Sequence, residues 1–487
     1  MKPSSHDQPT LPARGTPLRL IAAALSILIA LAAALWMRNS PGSKAPLATA
    51  PAPAVPAPAP SPVDPATILA EISATAASDS PSLTDKALAT ALEKVRKNTT
   101  TAVLWVNLGD TLAQKLRDTA DQNYYHLAEI AYQRALSLEP RSVDALTGMA
   151  WVTGGRHTFD QSIDWANKAL AVDPKGVAAH GIIGDAALEL GNYDQAYDEY
   201  QKMMDLRPDL SSWSRGAYLL WLCGDRTKAV ALMNSAINSG APFAENTAWC
   251  RAKLAMMYFN DGALAAAEQT LAPALKGDSR NTHVLLAAAK LAAARHDFPA
   301  AVNFYNTLLE AGPNAEALAA LGDIHAVNGE KEEAAACYAK VEALHAAHVT
   351  TGVHDHTPMA KYYADHDTNP IEALRLAEQH KLTNNVLEAD VLAWVYLKSG
   401  DLPHAIETMK RALARHTSSP EMHYHAGMIA AAAGDKASAR RHLELALSLN
   451  PEFDTLQAPI AARTLAELNV NKASASNRVQ PEPSATR

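Results

Sequence analysis

Imidazoles and thiols are the side chains of this chain best suited to metal or nucleophilic chemistry. Seven of the eighteen histidines fall between positions 325 and 380: His325, His345, His348, His354, His356, His366 and His380. His345 and His348 share a helix face at i, i+3, and His354-Asp355-His356 follow at once. Imidazole beside carboxylate can hold Zn²⁺ or Cu²⁺, so His345, His348, His354 and His356 are the metal candidates. Their spacing matches no defined site, and no metal or other cofactor is assigned. His423 and His425, two apart on an expected helix, face different ways. Three cysteines exclude a disulfide framework. Cys223 and Cys250 fall at opposite ends of neighbouring parallel helices, too far apart to bridge. No phosphate loop, nucleophile elbow, HExxH or catalytic Ser/His/Asp signature is present. A non-enzymatic protein is expected.

The elements that must carry these residues are helical. The chain is 48% apolar but only 6% aromatic, with abundant Ala and 22 Gly in 487 residues, which favours helix over a turn-rich sandwich or barrel. A net charge of −8 lacks the basic excess of a nucleic-acid binder. Residues 20–37 are uncharged, and at about 1.5 Å per residue they would span roughly 27 Å as a helix, enough for one membrane crossing. Arg19 and Arg38 bracket the span and Trp36 sits at its interfacial end. A cleaved signal peptide would have a shorter apolar core with A-x-A directly after it; here the first such triplet, Ala48-Thr49-Ala50, lies well downstream. A retained signal anchor is the reading. Lys2, Arg14 and Arg19 before the span, against Arg38 and Lys44 after it, put the N-terminus inside. Eight Pro and seven Ala in 45–65 prefer extended polyproline II to helix.

Beyond this stalk the chain repeats. Pro140, Pro174, Pro208 and Pro242 stand 34 residues apart, each closing a helix-like stretch. In block 177–210, Gly184 falls early, Gly191-Asn192 breaks the helix, and Ala196, Tyr200 and Met203 recur at helical spacing. Other units show Leu321-Gly322, Gly329, Ala334 and Tyr338; Gly427, Gly434, Ala439 and Leu443; Ala393, Tyr396, Gly400 and Ala405; Ala289, Ala301, Tyr305 and Pro313. The first clear unit has Gly109, Ala128, Tyr132 and Pro140, with seven extra residues between Gly109 and Ala128. This pattern resembles the tetratricopeptide repeat, in which small residues let two helices approach and a bulky one fills the gap to the next unit.

The resemblance implies an all-α fold: an α-solenoid superhelix of about nine tandem helix hairpins behind one N-terminal transmembrane helix. The expected organisation is a cytoplasmic segment (1–19), the anchor (20–37), the Pro/Ala-rich linker (38–65) and capping helices (66–100). Repeats follow at 101–348 and 385–453 around a degenerate His-rich unit (349–384), then a capping helix (454–469) and a disordered tail (470–487). In this family the first helices line a concave groove. Carried over by repeat position, the partner-binding residues are Asp110, Trp151, Asp185, Tyr218, Trp221, Trp249, Met256, Phe259, Lys290, Asp323, Trp394 and Tyr424. Aromatics with sparse carboxylates suit an extended peptide or an amphipathic helix. The Lys/Asn clamp by which some relatives hold carboxylate tails is absent, since Val106 and Asp110 stand at its positions.

The resulting expectation is a non-enzymatic scaffold for protein partners, anchored in a bacterial inner membrane with its repeats in the periplasm. The alternatives are a metal-handling accessory protein using the His-rich segment, and an anchored chaperone or secretion accessory.

Overall fold

A computed structural model describes residues 64–477, apart from 76–81, 120, 243, 278–279, 351–352 and 381–383. The expected anchor at 20–37 lies outside the described residues, as do the N-terminal segment and most of the linker. No described helix is long and apolar enough to cross a membrane. Among the described residues there are twenty-three α-helices and no strand.

Helices α1 (Pro65–Thr75) and α2 (Leu83–Lys97) form the expected N-terminal cap, buried through Ile68, Ile72, Leu88 and Val95. Ten hairpins follow. Those of the first stretch are α3 (Ala102–Thr119) with α4 (Asn123–Leu138), α5 (Val143–Gly155) with α6 (Phe159–Val172), and α7 (Val177–Glu189) with α8 (Tyr193–Leu206). Next come α9 (Leu210–Leu222) with α10 (Arg226–Ser239), α11 (Glu245–Asn260) with α12 (Leu264–Gly277), and α13 (Thr282–Ala294) with α14 (Phe298–Ala311). The second stretch pairs α15 (Ala315–Asn328) with α16 (Lys331–Thr350), α17 (Thr357–Asp365) with α18 (Pro370–Ala377), α19 (Val386–Lys398) with α20 (Leu402–Ala412), and α21 (Pro420–Ala432) with α22 (Lys436–Leu449). The degenerate unit is thus a real but short hairpin. The terminal helix, α23 (Gln457–Asn477), runs past the boundary expected at 469, so part of the segment read as a disordered tail is helical.

Each hairpin closes on a small residue. A Cβ on Gly184 would lie 2.4 Å from the Tyr200 ring, and one on Gly322 would lie 2.5 Å from Tyr338. The same two tyrosines donate their hydroxyls to the next residue, Tyr200 to Asp185 and Tyr338 to Asp323, both at 2.8 Å. Tyr132 does likewise to Asp110 at 2.8 Å, although seven more residues separate the pair. Helix length absorbs the insertion: α3 has 18 residues against 13 in α7, and α4 has 16 against 14 in α8. Many second helices start on a capping aspartate; Asp225, Asp297, Asp401 and Asp435 each accept an N–H from three residues on, satisfying a donor that helix geometry leaves orphaned.

The solenoid coils tightly enough for its second turn to sit on its first. Gly312 meets the Thr119 carbonyl, and the His354 N–H donates to the Arg156 carbonyl at 3.2 Å. Further along, Asn384 N–H donates to Leu190 O at 3.3 Å and Asn385 Nδ2 to Glu189 O at 3.2 Å. Thr417 Oγ1 donates to Leu222 O at 2.6 Å and Asn450 Nδ2 to Phe259 O at 2.9 Å. Val386 N–H donates to the Tyr193 hydroxyl at 2.9 Å. The hydrogen bonds made by Asn385, Val386, Thr417 and Asn450 join residues 191 to 196 positions apart, roughly six repeats of about 34 residues. Inter-repeat loops of the second turn therefore seat on the hairpin tips of the first.

Substitutions at the glycines test both kinds of packing. Gly184→Leu should overpack the contact with Tyr200 and destabilise by about 1–3 kcal/mol; an unchanged melting curve would show the helices to be farther apart. Gly191 and Gly434 occupy equivalent tips at φ 73° and 78°, so Ala costs about 1–2 kcal/mol of left-handed strain at either. A Cβ on Gly191 would also lie 2.1 Å from the Asn384 carbonyl carbon, whereas one on Gly434 meets nothing within 4 Å. Gly191→Ala should therefore lower the urea midpoint clearly more than Gly434→Ala, and equal midpoints would contradict the seam.

Candidate partner-binding inner face

First helices of successive hairpins touch one another as well as their own partners, in the runs α3–α5–α7–α9–α11–α13 and α17–α19–α21–α23. They form the inner wall of the solenoid. The residue after the small one in the first helices makes a ladder along that wall, among them Asp110, Asp185, Tyr218, Met256, Lys290, Asp323 and Trp394.

Most charged rungs already have partners within the chain. Asp185 accepts the Tyr200 hydroxyl and a forked pair of bonds from Arg215, Nε to Oδ1 at 2.9 Å and Nη2 to Oδ2 at 2.9 Å. Such bidentate geometry is the strong form of this pair. Asp323 accepts from Tyr338 and contacts His366 Nε2 at 2.8 Å. Burial works against a charge on His366, yet the hydrogen bond and charge of Asp323 raise its pKa above the ordinary value. Lys290 pairs with Glu316. Asp110, though exposed as a residue, has its pKa pushed up by desolvation against the Tyr132 hydrogen bond. Burial, with Glu388, Asp185 and Asp355 nearby, pushes the Glu189 carboxyl up to about 7.

The twelve groove residues expected from repeat position divide by turn and depth. Trp151, Asp185, Tyr218, Trp249, Met256, Lys290 and Asp323 are partly accessible, as is the more exposed Asp110. Four are corrected to core. Trp221 and Phe259 are 9% and 6% exposed, Trp394 and Tyr424 each 1%. Trp221 lies against Tyr218, ring centroids 6.0 Å apart, and Phe259 joins the apolar cluster of Leu271, Val284 and Leu291. Trp394 and Tyr424 belong to the second turn, whose inner side is filled. The Trp394 indole donates to Asp365 at 2.9 Å and stacks on His425, and the Tyr424 hydroxyl donates to Gln457 of α23 at 2.6 Å.

Lys253 was missed because it falls between the repeat positions carried over, three residues before Met256 in α11. Its ammonium lies 5.5 Å from the Tyr218 ring centroid and 5.4 Å from that of Trp249.

The histidine candidates gather without converging. His356 has ring centroids 6.1 Å from His345 and 6.3 Å from His354, in edge-on arrangements; the side chain of His348 lies outside the described residues. Among the described residues no group of three or more His, Cys, Asp or Glu is arranged to hold a metal. His425 faces Asp390 at 3.0 Å while His423 faces His442, so those two point apart as their spacing requires. Cys223, Cys250 and Cys337 are free thiols. Val106 is buried, so it offers nothing to the wall at the position where a carboxylate clamp would stand.

Depth separates two tryptophans that sequence position grouped together. Trp221→Ala should cost about 3–5 kcal/mol of stability as a core truncation, and Trp249→Ala about 1 kcal/mol or less. Urea unfolding of the full-length chain compares them directly, and a wild-type midpoint for Trp221→Ala would return that residue to the surface.

A family model described as tetratricopeptide repeat matches residues 155–211, 286–347 and 391–452. Subunit NrfG of the formate-dependent nitrite reductase complex of Escherichia coli O157:H7 is 29% identical over 117 residues, 23% of this chain and 56% of that protein. A small glutamine-rich tetratricopeptide repeat-containing protein of Mycosarcoma maydis is 30% identical over 92 residues, 19% of this chain and 26% of that one. The chain thus spans about half the length of the first of these relatives and a quarter of the second. Among solved structures, a thermophilic tetratricopeptide-repeat protein of Thermus thermophilus aligns at 19% identity and a TM-score of 0.34, covering 43% of this chain and all of its own. The matched stretches contain the close contacts of Gly184 with Tyr200, Gly322 with Tyr338 and Gly427 with Leu443: in these three stretches the chain carries tetratricopeptide repeats.

Proposed function

We propose that this protein is a non-enzymatic scaffold, anchored in a bacterial inner membrane by residues 20–37, that holds an extended segment of another envelope protein against the inner wall of its first turn. One observation carries the binding part: Tyr218, Trp249 and Met256 remain partly accessible on adjacent first helices, while the equivalent aromatics of the second turn are packed away. Aromatic surface left on a concave wall is best covered by a partner. The uncharged span with its flanking arginines supports the anchor, and the excess of Lys and Arg before it supports repeats outside the cytoplasm. The capture of a peptide is in keeping with a repeat architecture, whose concave surfaces serve binding.

The test places a photo-crosslinking residue at position 249 of the full-length protein in intact cells, with position 371 as control because Ile371 is 84% exposed elsewhere. Discrete adducts are expected from 249 and not from 371, in membranes that keep the protein through an alkaline carbonate wash. Adducts of equal yield at both positions would remove the inner-face reading. Release by carbonate would remove the anchor.

A further inference from the structure

Along the inner wall the charged rungs have hydrogen-bonded partners, and Lys253, which stands three residues before the rung Met256, has none. Asp110 takes Tyr132, Asp185 takes Tyr200 and Arg215, Lys290 takes Glu316, and Asp323 takes Tyr338 and His366. Among the described residues the Lys253 ammonium has no hydrogen bond or ion pair; it rests between the rings of Tyr218 and Trp249. Burial lowers its pKa, and the attraction of Glu316, set against the repulsion of Lys290, does not restore it. The Trp221 indole N–H is buried and without a hydrogen-bond partner, and that ring stacks on Tyr218. An unpaired ammonium set between two partly accessible aromatic faces forms a site that offers a donor beside apolar surface.

We propose that Lys253 is the anion-binding anchor of this inner wall, taking the side-chain carboxylate of an acidic residue that stands beside an apolar residue in an extended partner segment. This rests on the peptide-scaffold reading above and names the chemistry the peptide must carry. One negative charge fits better than two, because Glu189 and Glu316 both act on Lys253 electrostatically and would repel a dianion such as phosphate. A carboxylate returns to Lys253 the solvation that burial removes, since a buried cation is stabilised only when paired. The neighbouring apolar residue lies against Trp249 and Tyr218, where area rather than charge sets the affinity.

The experiment selects random peptides on immobilised full-length protein in detergent micelles, from a library whose peptides are fused through their C-termini and so have no free terminal carboxylate. Wild type should enrich Asp or Glu next to an aromatic or aliphatic residue at least about threefold over the unselected library. That bias should vanish with Lys253→Gln and persist with Lys253→Arg, while urea midpoints confirm that both variants fold. A peptide pool without acidic bias, or one whose bias survives Lys253→Gln, overturns the assignment of Lys253 and leaves the scaffold reading standing. Binding confined to a second library with free C-termini also overturns it, by assigning the anion to a chain end. If no peptide is enriched from either library, the scaffold reading falls and this proposal with it.

Discussion

The carbonyls that end a helix without an intrahelical partner govern this molecule. Helices α5, α7, α9, α11 and α13 of the first turn each stop at a left-handed corner, at His157, Gly191, Gly224, Gly262 and His296, and such a stop leaves acceptors exposed at the hairpin tip. In an ordinary solenoid water would satisfy them. Here the carbonyls of Glu189, Leu222 and Phe259 are met by Asn385, Thr417 and Asn450, which are 3%, 2% and 0% exposed. A net hydrogen bond contributes only about 1 kcal/mol, but a buried acceptor left without one costs about 1–3 kcal/mol. Once the turns are in contact each of these bonds is obligatory, so the seam holds in one register or opens as a unit.

This register decides which part of the inner wall stays accessible. Helices α17 and α23 supply the partners that cover the second-turn aromatics, Asp365 to Trp394 and Gln457 to Tyr424. Among the described residues the first turn has no comparable filling beside α9 and α11, where Tyr218, Trp249 and Lys253 remain partly accessible. Repeats alike in sequence pattern therefore differ in what they offer. Position in the coil, which no single repeat encodes, separates a binding wall from a packed one.

The hairpins were legible because their determinants are local. Gly184 and Tyr200 lie 16 residues apart and meet inside one unit, and an αL glycine beside a capping residue ends one helix and starts the next. The insertion in the first hairpin was also visible, since it changes the distance from Gly109 to Ala128. The seam was not. Asn384-Asn385 and Thr417-Ser418-Ser419 read as ordinary polar loops, because the acceptors that bury them come from nearly 200 residues away. Burial of Trp394 and Tyr424 was missed for another reason: their covering residues, Asp365 and Gln457, lie in the adjoining degenerate hairpin and terminal helix, which carry no repeat signature. Lys253 is a different miss: it stands three residues before the ladder residue Met256, between the repeat positions that the resemblance carries over.

Solenoids are usually treated as sums of repeat stabilities and nearest-neighbour interfaces, and the seam breaks that additivity. Contacts between the turns tie α7 to α19, α9 to the loop before α21, and α11 to the loop after α22, so loss of one interior repeat disturbs pairings some six repeats away. Glu189 stands where this long-range coupling meets the inner wall. Its backbone carbonyl and its carboxylate both accept from Asn385, and its charge acts on Lys253. A carboxylate arriving at Lys253 competes for the cation that favours the ionised form of Glu189, whose carboxyl already titrates near neutrality through burial and the acids around it. Glu189 thus belongs both to the seam, through Asn385, and to the electrostatic surroundings of Lys253 on the inner wall.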